Sequence, residues 1–148
     1  MAKTYRLGLG KRWINSVFAA MTRLGVGASY RHLLTVQGRK SGRMYTTPVD
    51  VMTVVSHRYL VAGYGMVSWV RNVRASQEAT LRRGRRSASY RVEETGPEEA
   101  LPVLREYMRR VRVTARYFDV GPDAPDASVA REVPRHPVFR LVPARDDG

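Results

Sequence analysis

The chain has 148 residues, of which 43% are hydrophobic and 26% charged, as expected of one globular domain with a real core. It contains no cysteine, which excludes disulfide bonds, thiol nucleophiles and cysteine-ligated metals and favours a reducing, cytoplasmic location. No apolar run approaches the roughly 20 residues of a membrane span. The basic N-terminal stretch is too interrupted by polar residues to be a signal peptide.

Positive charge is concentrated in the first part of the chain. The net charge is +13, no acid precedes Asp50, and residues 1–91 hold 17 basic and 2 acidic residues, a net +15. Residues 92–148 have a net charge of −2. Such an asymmetric surface attracts polyanions, which include nucleic acid, anionic lipid, and phosphorylated or polycarboxylate ligands. Charge alone does not choose between them.

The first predicted element is an amphipathic helix over about residues 11–24, ended by Gly25 and Gly27. Two interpretations are open: a helix packed on the core, or a basic helix that rests on a membrane or closes a pocket. We therefore expect an N-terminal helical segment, 1–28, and a single domain, 29–148. Its apolar residues recur at helical spacing: Trp13, Ile14, Val17, Phe18, Met21 and Leu24.

A run of β-strands follows this helix. Val, Thr and Tyr are frequent in it, and glycine-containing or polar turns interrupt it. A short helix or irregular segment is expected over 69–76 and a hairpin turn over 56–58. The predicted strands are 32–37, 45–55, 59–64, 78–83 and 85–94.

A second helix is predicted after Pro97, with Leu101, Leu104, Met108 and Val111 on its apolar face. Residues 121–137 contain four prolines and are expected to form a loop, and residues 138–142 form a closing strand. Strands that are segregated from helices in this way predict an α+β fold, a small antiparallel barrel or sheet with peripheral helices.

Several catalytic and binding motifs are absent from the sequence. It has no dinucleotide-binding or P-loop glycine motif and no nucleophile elbow. His32, His57 and His136 have no carboxylate at metal-ligand spacing, so no metal site is expected. An enzyme built from these residues would depend on a bound cofactor for its chemistry.

The most informative segment is Gly38-Arg39-Lys40-Ser41-Gly42. It predicts a tight turn between two strands that presents two cations, a hydroxyl and accessible backbone N–H groups. Such a turn can bind phosphate. From the residues alone, an ordinary solvated basic turn is an equally open interpretation.

The segment, with Thr47-Pro48 after it, resembles the G-R-K-S-G-x-x-x-x-T-P signature of the deazaflavin-dependent nitroreductase family. These are actinobacterial-type split β-barrel proteins that bind coenzyme F420. The resemblance continues in the same order through Leu60-Val61-Ala62-Gly63-Tyr64-Gly65, then Ser68-Trp69-Val70-Arg71-Asn72-Val73, and last Arg135-His136-Pro137-Val138. It covers about residues 30–142 and implies an FMN-binding split-barrel-like fold.

The resemblance implies a site for coenzyme F420, a long anion with a phospholactyl linker and an oligoglutamate tail. FMN is the alternative cofactor. The phosphate is expected on the Arg39 turn, and the ring and its chain on the following strand and on the segment around Trp69. The implied cofactor-binding residues are Arg39, Lys40, Ser41, Tyr45, Thr46, Thr47, Pro48, Val49, Val61, Ala62, Gly63, Tyr64, Ser68, Trp69, Val70 and Arg71.

The implied reaction is hydride transfer from the reduced deazaflavin to an electron-poor conjugated acceptor, a quinone, an enone or a nitro compound. Tyr117 and Tyr107 are candidates for the proton donor or the substrate side, and each is also explained as a packing tyrosine. The rival hypothesis is a non-catalytic barrel that holds FMN, haem or a lipid.

Partners other than a small-molecule acceptor have weaker support. The arginine cluster Arg82, Arg83, Arg85 and Arg86 suggests nucleic acid, but it lacks interleaved aromatic residues and a recognised motif, so no specific nucleic-acid binding is expected. A charged, solvated strand edge explains the cluster equally well. A homodimer is known for related barrels, and the N-terminal helix suggests peripheral contact with an anionic membrane at the inner face of the cell membrane.

Overall fold

Six β-strands, three α-helices and one 3₁₀ helix make up the part of the protein described by the computed structural model, residues 29–144. The predicted N-terminal helix lies outside these residues. The strands are β1 (Arg31–Gln37), β2 (Met44–Val54), β3 (His57–Val61), β4 (Glu78–Arg83), β5 (Arg86–Glu94) and β6 (Val138–Pro143). The helices are α1 (Ser68–Ser76), α2 (Pro97–Arg110) and α3 (Asp126–Ala130), with the 3₁₀ helix over Arg112–Tyr117.

The strands form a closed antiparallel barrel in the order β1-β2-β3-β6-β5-β4. Closure pairs β4 with β1 at Leu34↔Leu81 and β5 with β6 at Val92↔Leu141. This architecture confirms the predicted fold class. Because β4 and β5 both have partners on two sides, the arginine-rich hairpin between them is not the edge of an open sheet. Only its tip extends past β6, whose pairing with β5 begins at Tyr90.

Alternating residues of the strands fill the barrel. Leu34, Val51, Leu60 and Phe139 belong to one buried cluster in its interior. Helix α1 contributes to the same cluster, mainly through its buried valines, and so closes one end of the barrel. Its Trp69 ring meets Phe139 edge-on, with 6.0 Å between the ring centroids.

A second buried cluster lies outside the barrel, where α2 covers β2 and β3. Met52 and Tyr59 alternate with the interior residues of these strands and contact the apolar face of α2, which includes Leu104 and Tyr107. A Cβ atom on Gly63 would overlap the hydroxyl of Tyr107. Only glycine at this position allows α2 to approach the chain after β3 so closely.

The structure differs from the sequence prediction at the end of β3, which is Val61 and not residue 64, and at two connections. The β2–β3 turn is Val55-Ser56 and not 56–58, because both residues have positive φ (48° and 68°), as in the two-residue turns that suit a hairpin. The predicted loop 121–137 contains α3. Proline is tolerated immediately before or at the start of a helix, so Pro125 permits this helix, and its Val129 is buried.

Candidate functional site

A cleft of about 770 Å³ lies at the end of the barrel that α1 closes. One side is the turn between β1 and β2, and the other is the chain from Tyr64 into the first turn of α1. The cleft brings together eleven of the predicted cofactor-binding residues: Arg39, Lys40, Ser41, Tyr45, Thr46, Thr47, Pro48, Tyr64, Ser68, Trp69 and Arg71. Val36, Gly38, Met66, Val67 and Asn72 also line it.

Backbone hydrogen bonds shape the cationic turn. The Gly38 N–H donates to the carbonyl of Arg43 at 2.6 Å, and the Gly42 N–H donates to the carbonyl of Gly38 at 3.1 Å. Gly42 has a φ of +74°, and a Cβ on Gly38 would lie 2.5 Å from the Tyr45 ring. The positive φ favours glycine at position 42, and a side chain at position 38 would displace the exposed Tyr45 ring. The turn exposes the side chains of Arg39 and Lys40 to solvent.

Asn72 fixes the direction of Arg39. Its side chain is 4% exposed, and its Oδ1 atom accepts hydrogen bonds from the Arg39 backbone N–H at 3.1 Å and from the Arg39 guanidinium at 2.8 Å. One side-chain oxygen on α1 thus holds both ends of the arginine. Asn72 lay outside the predicted binding set, because the partners are 33 positions apart and no local pattern links them.

The hydroxyls near the turn are already in hydrogen bonds. Ser41 Oγ lies 3.2 Å from the Tyr45 hydroxyl and accepts from the Arg43 backbone N–H at 3.2 Å. Thr46 Oγ1 lies 2.8 Å from Thr35 Oγ1 on β1. Ser41 and Tyr45 therefore stabilise the cationic turn from within.

The wall opposite Arg39 and Lys40 combines an apolar surface around Trp69 with polar side chains, among them Ser68 and Arg71. Trp69 packs against the barrel interior and also lines the cleft, beside Met66 and Val67. Tyr64 stands at the cleft, 37% exposed, with its ring edge-on to Tyr117 at 5.3 Å. A planar, anionic molecule would meet cations at one side and flat or aliphatic surface at the other.

A family model described as F420H(2)-dependent quinone reductase matches residues 15–124. The chain belongs to this family. The match confirms the resemblance, and with it the predicted enzyme class, an F420-dependent reductase, and the predicted cofactor, coenzyme F420. A search of curated proteins gave no match.

Solved structures share the barrel fold of this family member. The protein Atu2129 of unknown function from Agrobacterium tumefaciens matches with a TM-score of 0.58 and 17% identity, over 96% of this chain and 59% of that one. A chain described as a domain-swapped dimer matches with a TM-score of 0.57 and 19% identity, over 89% of this chain and 98% of that one. An F420-H2 dependent reductase, FDR-A, matches with a TM-score of 0.51 and 19% identity, over 76% of this chain and 94% of that one. The chain thus spans about three fifths of the Agrobacterium protein.

Five predicted cofactor-binding residues of the reductase are not at the cleft surface. All five are buried: Val49, Ala62 and Val70 form the layer behind the cleft, whereas Val61 and Gly63 lie on the side of the outer cluster under α2. Strand alternation explains Val49, whose side chain belongs to the interior cluster. Gly63 contacts Tyr107 and not the cleft. A sequence motif marks a continuous segment, but only alternate residues of a strand reach one surface.

Neither tyrosine that was predicted as a proton donor lines the cleft. Tyr107 is 2% exposed within the outer cluster, and burial raises its pKa. Tyr117 is 6% exposed and lies behind Tyr64. Tyr117 therefore contacts the cleft only through the ring of Tyr64.

His136 holds the layer behind the cleft in place. Its ring is stacked on Phe118, with centroids 3.8 Å apart, and its two nitrogens lie 2.7 Å from the Ala62 carbonyl and 2.8 Å from the Tyr117 carbonyl. Glu132, also buried, lies 3.7 Å from the ring and accepts a hydrogen bond from the Asp119 backbone N–H. These contacts connect the chain after β3 with the 3₁₀ helix. Glu132 stands four positions before His136, so the expectation that this histidine has no carboxylate at such a spacing was wrong, and the contacts of the ring give it a structural role.

Proposed function

We propose that the protein binds reduced coenzyme F420 in the cleft between the β1–β2 turn and α1 and reduces an electron-poor conjugated acceptor there. The observation that carries the proposal is the pairing of a fixed cation, Arg39, with an apolar wall around Trp69 in one cleft. Quinones, enones and nitro compounds are the acceptor classes that we propose, with quinones first because the family is named for them.

The donor set of the cleft fits this cofactor. Coenzyme F420 carries a phosphate and carboxylates on a planar deazaflavin, and the cleft offers three exposed cations, Arg39, Lys40 and Arg71, beside the apolar surface around Trp69. Arg39 and Lys40 would hold the phosphate, with Arg39 able to bind two oxygens. Val67, Trp69 and Tyr64 would contact the ring. When bound, reduced F420 supplies the hydride.

The protein's own contribution to the reaction is positioning. Asn72 keeps Arg39 in place before any ligand arrives, so less conformational entropy is lost on binding. The apolar wall excludes water from one face of the site, and Tyr64, supported by Tyr117, limits the space left for an acceptor. Tyr107 and Tyr117 do not reach the cleft, so we propose that solvent, and not either of these two tyrosines, supplies the proton.

The test is a fluorescence titration of the protein with coenzyme F420, run beside FMN at moderate salt. We expect saturable F420 binding in the micromolar range or tighter and weaker binding of FMN. The variant Arg39→Ala/Lys40→Ala should lose about tenfold or more in affinity, because two charge-assisted contacts are removed. The variant Arg112→Ala/Arg131→Ala loses the same charge at exposed positions outside the cleft and should bind F420 normally.

An acceptor screen with reduced F420 completes the test. A quinone, a cyclic enone and a nitroaromatic compound are compared by kcat/KM. Equal loss of F420 affinity in both double variants would contradict the proposed site, because it would indicate non-specific attraction. A preference for FMN, or binding without turnover of any acceptor, would favour the alternative of a barrel that holds another ligand.

Dimerisation and membrane contact are further proposals. A structural neighbour is described as a domain-swapped dimer, so we propose that the protein forms a homodimer. Light scattering during size-exclusion chromatography tests the dimer.

Among residues 29–144, no helix is long and apolar enough to cross a membrane. We propose a cytoplasmic enzyme that contacts anionic lipid through residues 1–28; deletion of this segment should abolish liposome binding.

A further inference from the structure

A second cavity, of about 780 Å³, opens at the end of the barrel opposite the cofactor cleft. The strand register defines this end: β1 begins there at Arg31, whereas the cleft lies beyond the other end of β1, at Gly38. The buried Leu81 and the half-buried His32 and Tyr90 form its floor. Four arginines from β3 and the β4–β5 hairpin surround it: Arg58, Arg83, Arg85 and Arg86. We call these four residues and their cavity the arginine pocket.

The charged residues among the described lining of the arginine pocket are all positive. None of the described residues that line it is acidic. Arg83 and Arg86 are direct cross-strand partners in the β4–β5 hairpin, an arrangement in which like charges destabilise a sheet. An anion bound beside Arg86 would offset the positive charge of the described residues around the cavity.

The two inner arginines of the pocket are held in place. Arg58 donates one hydrogen bond to the Tyr90 hydroxyl at 2.6 Å, and a second nitrogen lies 3.0 Å from His32 Nε2. Arg83 donates to the Arg31 carbonyl at 2.8 Å. A guanidinium group has five N–H donors, so the two contacts of Arg58 leave this arginine able to bind an oxyanion as well. The outer two, Arg85 and Arg86, are exposed at the rim.

The hydrogen bonds of His32 indicate a neutral ring. Its Nδ1 faces the Tyr30 carbonyl at 3.0 Å and must donate, while its Nε2 faces the Arg58 guanidinium and must accept. Burial, together with Arg58 and Arg83, lowers the pKa of His32. An anion bound nearby would favour the protonated ring and so raise the pKa of His32. The pKa of His32 is therefore a measurable sign that an anion occupies the pocket.

We propose that the arginine pocket is a second binding site, for a small phosphoryl anion with two or more negative charges, of the pyrophosphate class. Guanidinium groups bind phosphate oxygens in pairs, and the pocket presents four of them around a concave floor. The volume admits a pyrophosphate group with part of the molecule that carries it. Because the two cavities lie at opposite ends of the barrel, this ligand and the cofactor can bind together.

The concave floor favours a small anion over a polynucleotide. Single-stranded nucleic acids bind along grooves that offer exposed aromatic rings for stacking. Here the only aromatic rings among the described lining residues are those of His32 and Tyr90, and both are half-buried and hydrogen-bonded to Arg58. The arginine cluster that suggested nucleic acid in the sequence is thus divided between two faces, with Arg83 towards the cavity and Arg82 outside it.

Calorimetric titration with inorganic pyrophosphate tests the proposal. Full-length Arg39→Ala/Lys40→Ala protein is the starting point, so that the cofactor turn does not contribute. We expect one saturable site, weakened roughly tenfold or more by Arg85→Gln/Arg86→Gln. The control Arg82→Gln/Arg91→Gln removes the same charge from residues of the same hairpin that do not line the cavity. It should change the affinity less than about threefold. Circular dichroism and thermal unfolding check that both variants fold.

Two further measurements separate the outcomes. In ¹⁵N NMR, pyrophosphate should raise the pKa of His32, and this effect should vanish in Arg85→Gln/Arg86→Gln. Binding of citrate and of vesicles containing 30% phosphatidylglycerol is measured in parallel, with the same two double variants. The proposal is overturned if pyrophosphate gives no saturable binding, if both double variants weaken it equally, or if only citrate or only the vesicles bind in a pocket-dependent way.

Discussion

The two ends of the barrel are both cationic, yet they are built for different ligands. At the α1 end, Arg39 and Lys40 face a wall that includes Trp69, and the helix separates the cleft from the core. At the opposite end, no helix among the described residues closes the barrel, and arginines surround a small polar floor. The first end suits a planar anion, which can contact the apolar surface as well as the cations, and the second end suits a compact anion. Net charge alone therefore does not predict what a basic barrel binds.

The two ends of the barrel also differ in how much stability is lost when a glycine is replaced by alanine. Gly63→Ala places a methyl group against the Tyr107 hydroxyl, which is buried and cannot move away, and should destabilise the protein by about 2–3 kcal/mol. Gly84→Ala, in the hairpin at the arginine end, places a side chain at a positive φ of 60° and should cost about 1 kcal/mol. Urea unfolding measures both.

A double variant identifies the cause of the larger effect. Tyr107→Phe removes the clashing oxygen and should recover part of the Gly63→Ala loss. Equal costs at Gly63 and Gly84, or additive effects of Gly63→Ala and Tyr107→Phe, would contradict the proposed contact between α2 and the chain after β3.

Substitution of Asn72 tests whether holding Arg39 in place contributes to the affinity for the cofactor. Asn72→Ala removes both hydrogen bonds to Arg39 and should weaken F420 binding about tenfold, or about 1.4 kcal/mol. The measurement is the F420 titration. If Asn72 acts through Arg39, the substitution should have little effect in Arg39→Ala protein. An undiminished effect in that background would assign Asn72 a different role.

Val55 tests the turn at the arginine end. A β-branched residue with a φ of 48° is strained, and its side chain is 85% exposed, so nothing is lost by replacing it. Val55→Asn should stabilise the protein by about 1 kcal/mol, measured by thermal unfolding. Val113→Asn, at an exposed valine without positive φ, is the control and should not stabilise.

The smallest expected effect is the contribution of His32, at the arginine end, to the pH dependence of stability. Since the pKa of His32 is lowered in the folded protein, the unfolded chain binds more protons as pH falls below about 6.5. Stability should therefore decrease as the pH falls from 6.5 through the folded pKa. His32→Gln should reduce this slope in urea unfolding between pH 7.5 and 5. An unchanged slope would show that His32 does not titrate as its contacts require.

Local sequence determined most of the elements of this protein. Strand composition, the glycines of the β1–β2 turn and the position of Pro97 predicted the barrel strands, the cationic turn and α2, because these signals act over a few neighbouring residues. The same local reasoning identified Arg39 and Lys40. It was wrong about the loop 121–137, because a short helix that begins after a proline has too few periodic residues to be recognised.

Only the closed barrel decided which residues meet. Its register brings Asn72 to Arg39, separates Tyr107 from the cleft, and gathers His32, Arg58 and Arg83 from three strands into one pocket. Alternation then determines which residues of a binding motif reach the surface, so that Val49 supports the cleft from behind. These relations depend on strand pairing between distant segments, which is fixed by the packing of the whole core and not by any short stretch of sequence.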